Sequence, residues 1–142
     1  MAGWTTGSYP KILEKFFEKK IDASSDAVTA HLTNTTPSTS HEGLADITEI
    51  ATGGGYTQGT GLAVTVASSQ MNGNTYELTF SGTVGFTASG AVAAFRYLVF
   101  CFGTVESDPI LGYLDLGSSM SMNAPDQLSV DLTGVKLSVA FS

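Results

Sequence analysis

The last third of the chain, from Ala91 to Ser142, alternates apolar and polar residues and is interrupted only by short turn signals. An alternation with a period of two places every second side chain on the same face of an extended strand. The run Ala93–Phe102 is apolar on both faces, which predicts a central strand that is covered on both sides. Ile110–Leu116 follows a turn signal and is the predicted partner strand. The pattern therefore predicts a fold built from buried antiparallel strands.

Shorter alternating segments raise the predicted total to roughly eight strands, with the spacing of a sandwich or jelly roll. At 142 residues, the chain has the length of about one domain. We therefore predict a mainly β protein, an antiparallel, jelly-roll-like β-sandwich with one N-terminal amphipathic helix. Residues 1–9 are predicted to form an N-terminal arm, and residues 10–142 a single domain. The further predicted strands are Ala27–Thr33, Leu62–Ala67, Thr75–Phe80, Val84–Thr87, Leu128–Leu132 and Val135–Phe141.

Lys11–Lys20 carries the helical pattern of the chain. Pro10 precedes it, and proline is favoured at the first helical position because its missing N–H would have no partner there. Lysines close the segment, where they suit the negative end of the helix dipole. A helix this short is marginal alone in water, so we expect its apolar stripe to pack on the sheet of the same chain or on a neighbouring subunit. The stripe consists of Ile12, Leu13, Phe16, Phe17 and Ile21.

Turn and loop signals predict where the strands end. Asn72-Gly73 is a strong hairpin signal, because a type I′ turn requires positive φ at both central residues. Gly117-Ser118-Ser119 predicts a break after the strand that ends at Leu116. Thr133-Gly134 predicts a turn between the two final strands. The glycine-rich segment Gly53–Gly61 predicts a loop in which Tyr56 packs closely.

The charge of the chain is unevenly distributed. The net charge is −7, and four of the six basic residues lie within residues 11–20, so the remainder is strongly acidic. An acidic body repels a phosphate backbone, and we expect no nucleic-acid partner. The charged fraction of 13% is about half the usual value, and Ser, Thr and Gly take the place of the charges. Such a surface costs less to desolvate against a neighbour than one rich in Lys and Glu, which favours assembly.

The sequence shows neither a membrane helix nor an export signal. No stretch approaches the ~18 apolar residues that a membrane helix requires, and the first residues lack the basic and apolar regions of a signal peptide. We therefore expect no membrane partner and a protein made in a cytoplasm.

The residue types that support catalysis or metal binding are few and scattered. Cys101 is the single cysteine, and it lies in an apolar run where a thiol is buried and inert. His31 and His41 are not spaced as metal ligands, and His31 is predicted on the strand face opposite the apolar residues. A pair of Cys101 with either histidine is the remaining catalytic alternative. We expect no cofactor, no metal and no catalytic residue, and we predict that the protein is not an enzyme.

Arg96 is the one positive charge in the long apolar strand Ala93–Phe102. A buried charge must be paired. Asp115, on the predicted partner strand, is the expected structural partner. An ion pair with an acidic loop of another subunit is the alternative.

Three segments, in this order, resemble small structural proteins of tailed-bacteriophage virions: Gly53–Thr57, Phe95–Phe100 and Pro109–Gly117. Such proteins often begin with a short helix, which the segment Tyr9–Phe17 matches, and end in an apolar β-hairpin. The resemblance covers nearly the whole chain and implies a particle component. It implies a capsid decoration (cement) protein, which is located on the capsid surface of the virion.

The resemblance and the composition together predict binding without chemistry. We expect the chain to bind the assembled head, with the major capsid protein and itself as partners, as a homotrimer or similar homo-oligomer that stabilises capsomer junctions. The alternative is a tail- or fibre-associated structural protein or adhesin that binds a receptor or glycan, with Tyr56 and Gln58, or Tyr113, as sugar contacts. Aromatic residues near an arm are good interface anchors, although they could equally be core. The predicted docking residues are Trp4, Tyr9, Phe16 and Phe17.

Overall fold

The computed structural model describes residues 5–8, 18, 22, 25–103 and 107–140 of the chain. These residues form a mainly β, antiparallel structure with a 3-10 turn at Leu44–Asp46 and no α-helix. The prediction of a mainly β protein is confirmed. The strands are β1 (Thr5–Ser8), β2 (Val28–Thr33), β3 (Leu62–Asn72), β4 (Thr75–Ser81), β5 (Thr83–Thr87), β6 (Val92–Phe102), β7 (Ile110–Met122), β8 (Gln127–Asp131) and β9 (Lys136–Ala140).

Seven of these strands form one sheet in the order β1-β7-β6-β2-β3-β4-β9, and β5 and β8 form a two-stranded sheet. Every pair is antiparallel. The larger sheet curls, so that β4 faces β6 across the core, where the rings of Phe80 and Phe100 lie 5.0 Å apart. The two edge strands, β1 and β9, consequently come into contact.

β6 is buried on both faces from Tyr97 to Phe102, whereas Ala93 and Ala94, which belong to the predicted covered strand, are exposed. Every side chain from Tyr97 to Phe102 is at most 6% exposed. β6 pairs with β2 on one side and with β7 on the other. Alternate side chains join the main core, while Val99 and Cys101 pack with Ile47 and Ile110 on the opposite face. That second face is covered by the connection between β2 and β3, which completes the burial of the strand.

β4 and β5 are two halves of one long strand, and β8 and β9 are two halves of the strand that pairs with it. Gly82, at φ +75°, joins the first two halves. Hydrogen bonds cross the junction, because the Phe80 N–H donates to the Val135 carbonyl oxygen at 2.9 Å and the Leu132 N–H to the Gly82 carbonyl oxygen at 2.8 Å. The final two strands therefore do not form a hairpin, and Thr133-Gly134 joins two strands that follow each other. We call residues 75–88 and 127–140 the ribbon.

The hairpin between β3 and β4 differs from its prediction in turn type. Asn72 pairs with Thr75, so the central residues are Gly73 and Asn74 rather than Asn72 and Gly73. Gly73 has φ +61°, whereas Asn74 is not among the residues with positive φ. A single positive φ at the first central residue is typical of a type II′ turn. β3 continues to Asn72, beyond the predicted end of that strand at Ala67.

The predicted break at Gly117-Ser118-Ser119 is wrong, because β7 continues through it to Met122. The register with β6 shifts there: Tyr97 pairs with Asp115, and Phe95 pairs with Met120. More residues of β7 than of β6 fall between these pairs, so β7 bulges. Gly117 accommodates the bulge with a φ of +92°, a conformation that glycine adopts easily. A β-bulge of this kind bends a strand without ending it.

The N-terminal predictions fall mostly on residues that the structure does not describe. Thr5–Ser8, within the predicted arm, is an edge strand that pairs with residues 112–115 of β7. The predicted helix over Lys11–Lys20 lies outside the described residues, apart from Glu18.

Candidate functional site

The four aromatic residues predicted to dock onto a partner, Trp4, Tyr9, Phe16 and Phe17, lie outside the described residues. Of the other candidates, Arg96 and Asp115 form a surface ion pair, and His31, Tyr56 and Cys101 belong to one buried polar cluster. A third feature, the outward face of the ribbon, was not singled out from the sequence.

Arg96 and Asp115 form a bidentate ion pair within the chain. Arg96 Nε and Nη2 donate to the two carboxylate oxygens of Asp115 at 2.8 and 3.0 Å. The Arg96 side chain is 40% exposed, so the expectation of a buried charge is wrong. The hydrogen bonds from Arg96 and from the Gly117 N–H hold the pKa of Asp115 below its ordinary value. The pair ties β6 to the bulge of β7.

A buried polar cluster lies between β2, β6 and the connection from β2 to β3. His31 Nδ1 donates to Glu49 Oε1 at 2.8 Å, and His31 Nε2 lies 2.8 Å from Thr29 Oγ1. The Thr29 hydroxyl lies 3.3 Å from Cys101 Sγ. The Tyr56 hydroxyl donates to Glu49 Oε1 and accepts the N–H of Leu32. We call Thr29, His31, Glu49, Tyr56 and Cys101 the His31 cluster.

The electrostatics of the cluster favour an imidazolium–carboxylate pair at neutral pH. Burial lowers the pKa of His31, but Cys101 and Glu49 outweigh it and raise that pKa to about 9. Burial raises the pKa of Glu49, but hydrogen bonds from His31, Tyr56 and the Gly59 N–H leave it below its ordinary value. Burial and the neighbouring carboxylate of Glu49 raise the pKa of Tyr56, which stays protonated. His31 therefore carries a positive charge that Glu49 balances.

Glycines bring the connection from β2 to β3 down onto this cluster. Gly54 and Gly55 both have positive φ and precede Tyr56, which is 1% exposed; the prediction that this loop packs Tyr56 closely is confirmed. Gly61, at φ +65°, approaches so closely that a Cβ there would lie 2.6 Å from the Ala30 carbonyl oxygen and 2.7 Å from the His31 ring. Only a residue without a side chain fits at that point.

The His31 cluster contains the chemical groups of a catalytic relay, but a substrate cannot reach them in this structure. A thiol, an imidazole and a carboxylate follow one another, as in a nucleophile, base and orienting acid, with a threonine hydroxyl between the first two. Cys101 and His31 are 0% and 1% exposed, so a substrate would reach the sulfur only if the covering loop opened. Both ring nitrogens and both carboxylate oxygens are hydrogen-bonded. Such a satisfied buried network specifies one packing arrangement, and it clamps the loop onto β2.

The sequence indicated part of this cluster. His31 was predicted on the strand face opposite the apolar residues, and the structure confirms that placement, since alternate residues of β2 join the main core. Glu49 and Thr29 were missed. The available signal was the polar series Thr29, His31 and Thr33 on one face of a strand. The two histidines do not come together with a third ligand, and no group of three potential metal ligands occurs within the described part of the chain.

The aromatic residues considered for glycan binding are not well placed for it. Tyr56 is 1% exposed, and its hydroxyl is used by Glu49 and Leu32. Tyr113 is half-buried, and its ring lies edge-on to that of Tyr97 at 6.2 Å. Stacking on a sugar requires an exposed ring face, which excludes Tyr56.

The ribbon and β3 present a broad outward face of small polar residues. Inward positions such as Val84 and Val130 pair with each other and are buried, whereas Thr83 and Asp131, Gly85 and Ser129, and Thr87 and Gln127 pair on the exposed side. The same alternation continues through β4 and its partner residues in β3. We call this surface the hydroxyl face. Its residues are Thr65, Ser68, Gln70, Thr75, Glu77, Thr79, Ser81, Thr83, Gly85, Thr87, Gln127, Ser129, Asp131 and Lys136.

Comparison with protein-family models, curated proteins and solved structures found no match to this chain. The described residues contain no helix that is long and apolar enough to cross a membrane.

Proposed function

We propose that this chain is a structural protein of a tailed-bacteriophage particle, a capsid decoration (cement) protein that binds the assembled head. The hydroxyl face is the observation that carries the proposal. It is an outward sheet surface, part exposed and part half-buried, on which Thr, Ser, Gln and Gly occupy eleven of fourteen positions. Uncharged hydroxyl groups lose little hydration free energy when they meet hydrogen-bonding partners on another protein. The sequence resemblance to virion proteins supports the same function.

The jelly-roll-like sandwich expected from the sequence is part of this proposal. Its two layers would be the strands β1, β7, β6 and β2 on one side, and β3 with the ribbon on the other. The contact between Phe80 and Phe100 across the core and the separate pairing of β5 with β8 support two layers. In this arrangement one layer carries the hydroxyl face, and the other carries the clamped loop.

Binding, not catalysis, is the proposed mechanism. A standard protein interface buries about 1,600 Å² in total, and many identical contacts on one shell add through avidity. The partners are the major capsid protein and further copies of this chain as a homo-oligomer. The protein would be located on the capsid surface after synthesis in the host cytoplasm, and no cofactor, nucleic acid or membrane takes part.

Copy number in purified particles tests the proposal. Quantitative mass spectrometry should find this chain in an abundance comparable to that of the major capsid protein. Particles that lack the chain should lose their DNA at a lower temperature, and purified chain added back should restore the wild-type temperature. A chain that is absent from particles, or whose removal leaves head stability unchanged, would contradict the proposal. Purified chain that turns over a small molecule would do so as well.

A tail- or fibre-associated structural protein or adhesin is the alternative. Copy number separates the two, because a fibre component should occur in only a few copies for each particle. Cryo-electron microscopy of intact particles would locate the chain on the head or on the tail.

A further inference from the structure

We propose that Asn72 is a site of spontaneous deamidation, at which the backbone nitrogen of Gly73 attacks the side-chain amide and water then converts it to a carboxylate. This modification goes beyond the proposed function and does not depend on it. It follows from the sequence Asn72-Gly73, from the open geometry of the turn between β3 and β4, and from the hydrogen bond that joins Asn72 to Glu77.

The reaction needs only the chain and one water molecule. The Gly73 nitrogen loses its proton and forms a bond to Cγ of Asn72, while the bond from Cγ to Nδ2 breaks and ammonia leaves with that proton. The product is a five-membered succinimide ring. Water then opens the ring at either of its two carbonyl groups, which gives aspartate or its isomer isoaspartate. A neutral amide thus becomes a carboxylate, and the net charge of the chain falls one unit below −7.

The sequence distinguishes Asn72 from the other asparagines. Asn72 is followed by glycine, whereas Asn34 and Asn74 are followed by threonine and Asn123 by alanine. Glycine has no Cβ, so a neighbouring side chain can approach its nitrogen closely and its backbone turns freely. A β-branched threonine is stiffer and crowds the same approach. We therefore expect ring closure to be fastest at Asn72.

The structure leaves the attacking nitrogen open. Asn72 and Gly73 are both exposed, and a Cβ built on Gly73 would meet no atom within 4 Å. Among the described residues, none accepts a hydrogen bond from the Gly73 N–H. Water therefore reaches both reacting groups, and the turn has room to rotate as the ring closes.

Ring closure also requires Asn72 to leave its extended conformation, because an extended backbone holds the side-chain carbon away from the next nitrogen. Asn72 is the last residue of β3, and its pair with Thr75 is the last of the β3–β4 ladder. Such ends open locally at little cost in free energy. The amide of Asn34 is held more firmly, since Nδ2 donates to the Ala94 carbonyl oxygen at 2.9 Å and Oδ1 accepts from the Ser119 hydroxyl at 3.3 Å.

The modification would change the end of the hairpin through Glu77. Asn72 Nδ2 donates to Glu77 Oε1 at 3.1 Å, and the two residues lie on the same face of paired strands. A carboxylate at position 72 cannot donate this bond, and like charges on neighbouring strands are destabilising. Lys136 Nζ, 3.4 Å from Glu77 Oε2, reduces the repulsion without removing it. Deamidation should therefore loosen residues 70–77.

Peptide mapping by mass spectrometry tests the site. The full chain is incubated at neutral and at mildly alkaline pH, both folded and in urea, and each asparagine is followed by the mass difference between an amide and an acid. We expect Asn72 in the folded chain to react at least tenfold faster than Asn34, Asn74 or Asn123. The reaction should be faster at alkaline pH, because the attacking nitrogen must lose its proton. Enzymatic methylation of isoaspartate should label the same peptide.

Two variants test the chemistry. Asn72→Gln keeps an amide at this position, but its longer side chain would have to close a six-membered ring, so it should stay unmodified. Gly73→Ala should slow the reaction at Asn72 at least tenfold. Because a Cβ is strained at the Gly73 φ of +61°, Gly73→Ala is also compared with the wild type in urea, where the turn is absent and the same slowing should appear.

A pair of aspartate variants tests the consequence for the hairpin. Asn72→Asp carries the charge of the product, and Asn74→Asp adds the same charge at an exposed position of the same turn. Hydrogen exchange of residues 70–77 should be at least threefold faster in Asn72→Asp than in Asn74→Asp. Equal exchange in the two variants would overturn the role of Glu77.

The rates decide whether the site exists. A rate at Asn72 in the folded chain that does not exceed the rates at the other asparagines overturns the proposal. A folded chain that reacts at Asn72 more than a hundredfold more slowly than the chain in urea also overturns it, since the hairpin would then protect the site. The abundance of the chain in phage heads is a separate measurement, so the proposed function stands or fails independently.

Discussion

Replacing Glu49 by alanine should destabilise the protein far more than replacing any exposed carboxylate. Three donors end on this side chain: His31 Nδ1 at 2.8 Å, the Tyr56 hydroxyl, and the Gly59 N–H at 2.9 Å. Removing one partner of a buried ion pair costs about 3–5 kcal/mol, because the other charge stays buried without compensation. The carboxylate is 7% exposed, so water does not easily replace it.

The pKa of His31 points in the same direction. In the folded state it is raised from 6.5 to about 9, in part by the hydrogen bond to Glu49, so the protonated imidazole loses a stabilising partner when the carboxylate is removed. The unsatisfied donors of Tyr56 and Gly59 add about 1–3 kcal/mol each. The expected loss is therefore at least about 3 kcal/mol.

Urea denaturation followed by far-UV circular dichroism measures this loss. For a domain of this size it corresponds to a fall in melting temperature of roughly 10–20 °C. Glu42→Ala removes an exposed carboxylate from the same connection and should cost about 1 kcal/mol or less. If Glu49→Ala and Glu42→Ala have equal effects, the His31 cluster does not clamp the loop and the reasoning fails.

Three further predictions concern the same core. Because the pKa of His31 is raised from 6.5 to about 9 on folding, protonation of His31 stabilises the folded state fully below pH 6.5, and this stabilisation is lost as the pH rises through 9. The urea concentration at the midpoint of unfolding should fall over that range, and His31→Gln should flatten the decline. Gly61→Ala should destabilise more than Gly59→Ala in thermal melts, because both residues have positive φ but only a Cβ at Gly61 meets other atoms within 4 Å; equal effects would mean that the close approach to His31 does not matter. Phe100→Ala should cost about 3–5 kcal/mol in urea denaturation, since the ring is 0% exposed; a loss below about 1 kcal/mol would contradict its place in the core.

Strand positions were largely predictable because burial of one face imposes a period of two on the sequence. The ribbon follows that period closely, so its inward and outward positions could be read from the residues, whereas β6 was recognisable as a run that is apolar on both faces. Pairing beyond neighbouring segments was not predictable in this way. β8 and β9 carry the pattern and the turn residues of a hairpin, yet each pairs with a different half of the β4–β5 strand, because a polar turn also fits within a continuing strand.

The His31 cluster shows why side-chain contacts could not be predicted from the sequence. Glu49 is 18 residues from His31, and its segment shows no strand or helix period. What brings the two together is the path of a glycine-rich loop, which depends on φ values that glycine permits but does not impose. The bulge of β7 has the same origin, since Gly117 was equally compatible with a break and with a continued strand.

The two polar features of the molecule have opposite arrangements of charge, and this separates their roles. The His31 cluster buries a histidine–glutamate pair whose two residues lie in distant segments of the chain. Its electrostatic energy therefore stabilises the fold of a single chain. The hydroxyl face carries almost no net charge, so its free energy of association depends little on the ionisation of its own residues. Raising the pH from 6.5 to 9 should therefore loosen the loop through His31 while leaving the proposed binding to phage heads nearly unchanged. Hydrogen exchange of residues 49–61 and co-sedimentation of the chain with heads that lack it, measured at the same pH values, would reveal this separation. Binding to heads that is lost in parallel with faster loop exchange would show that the two features are coupled.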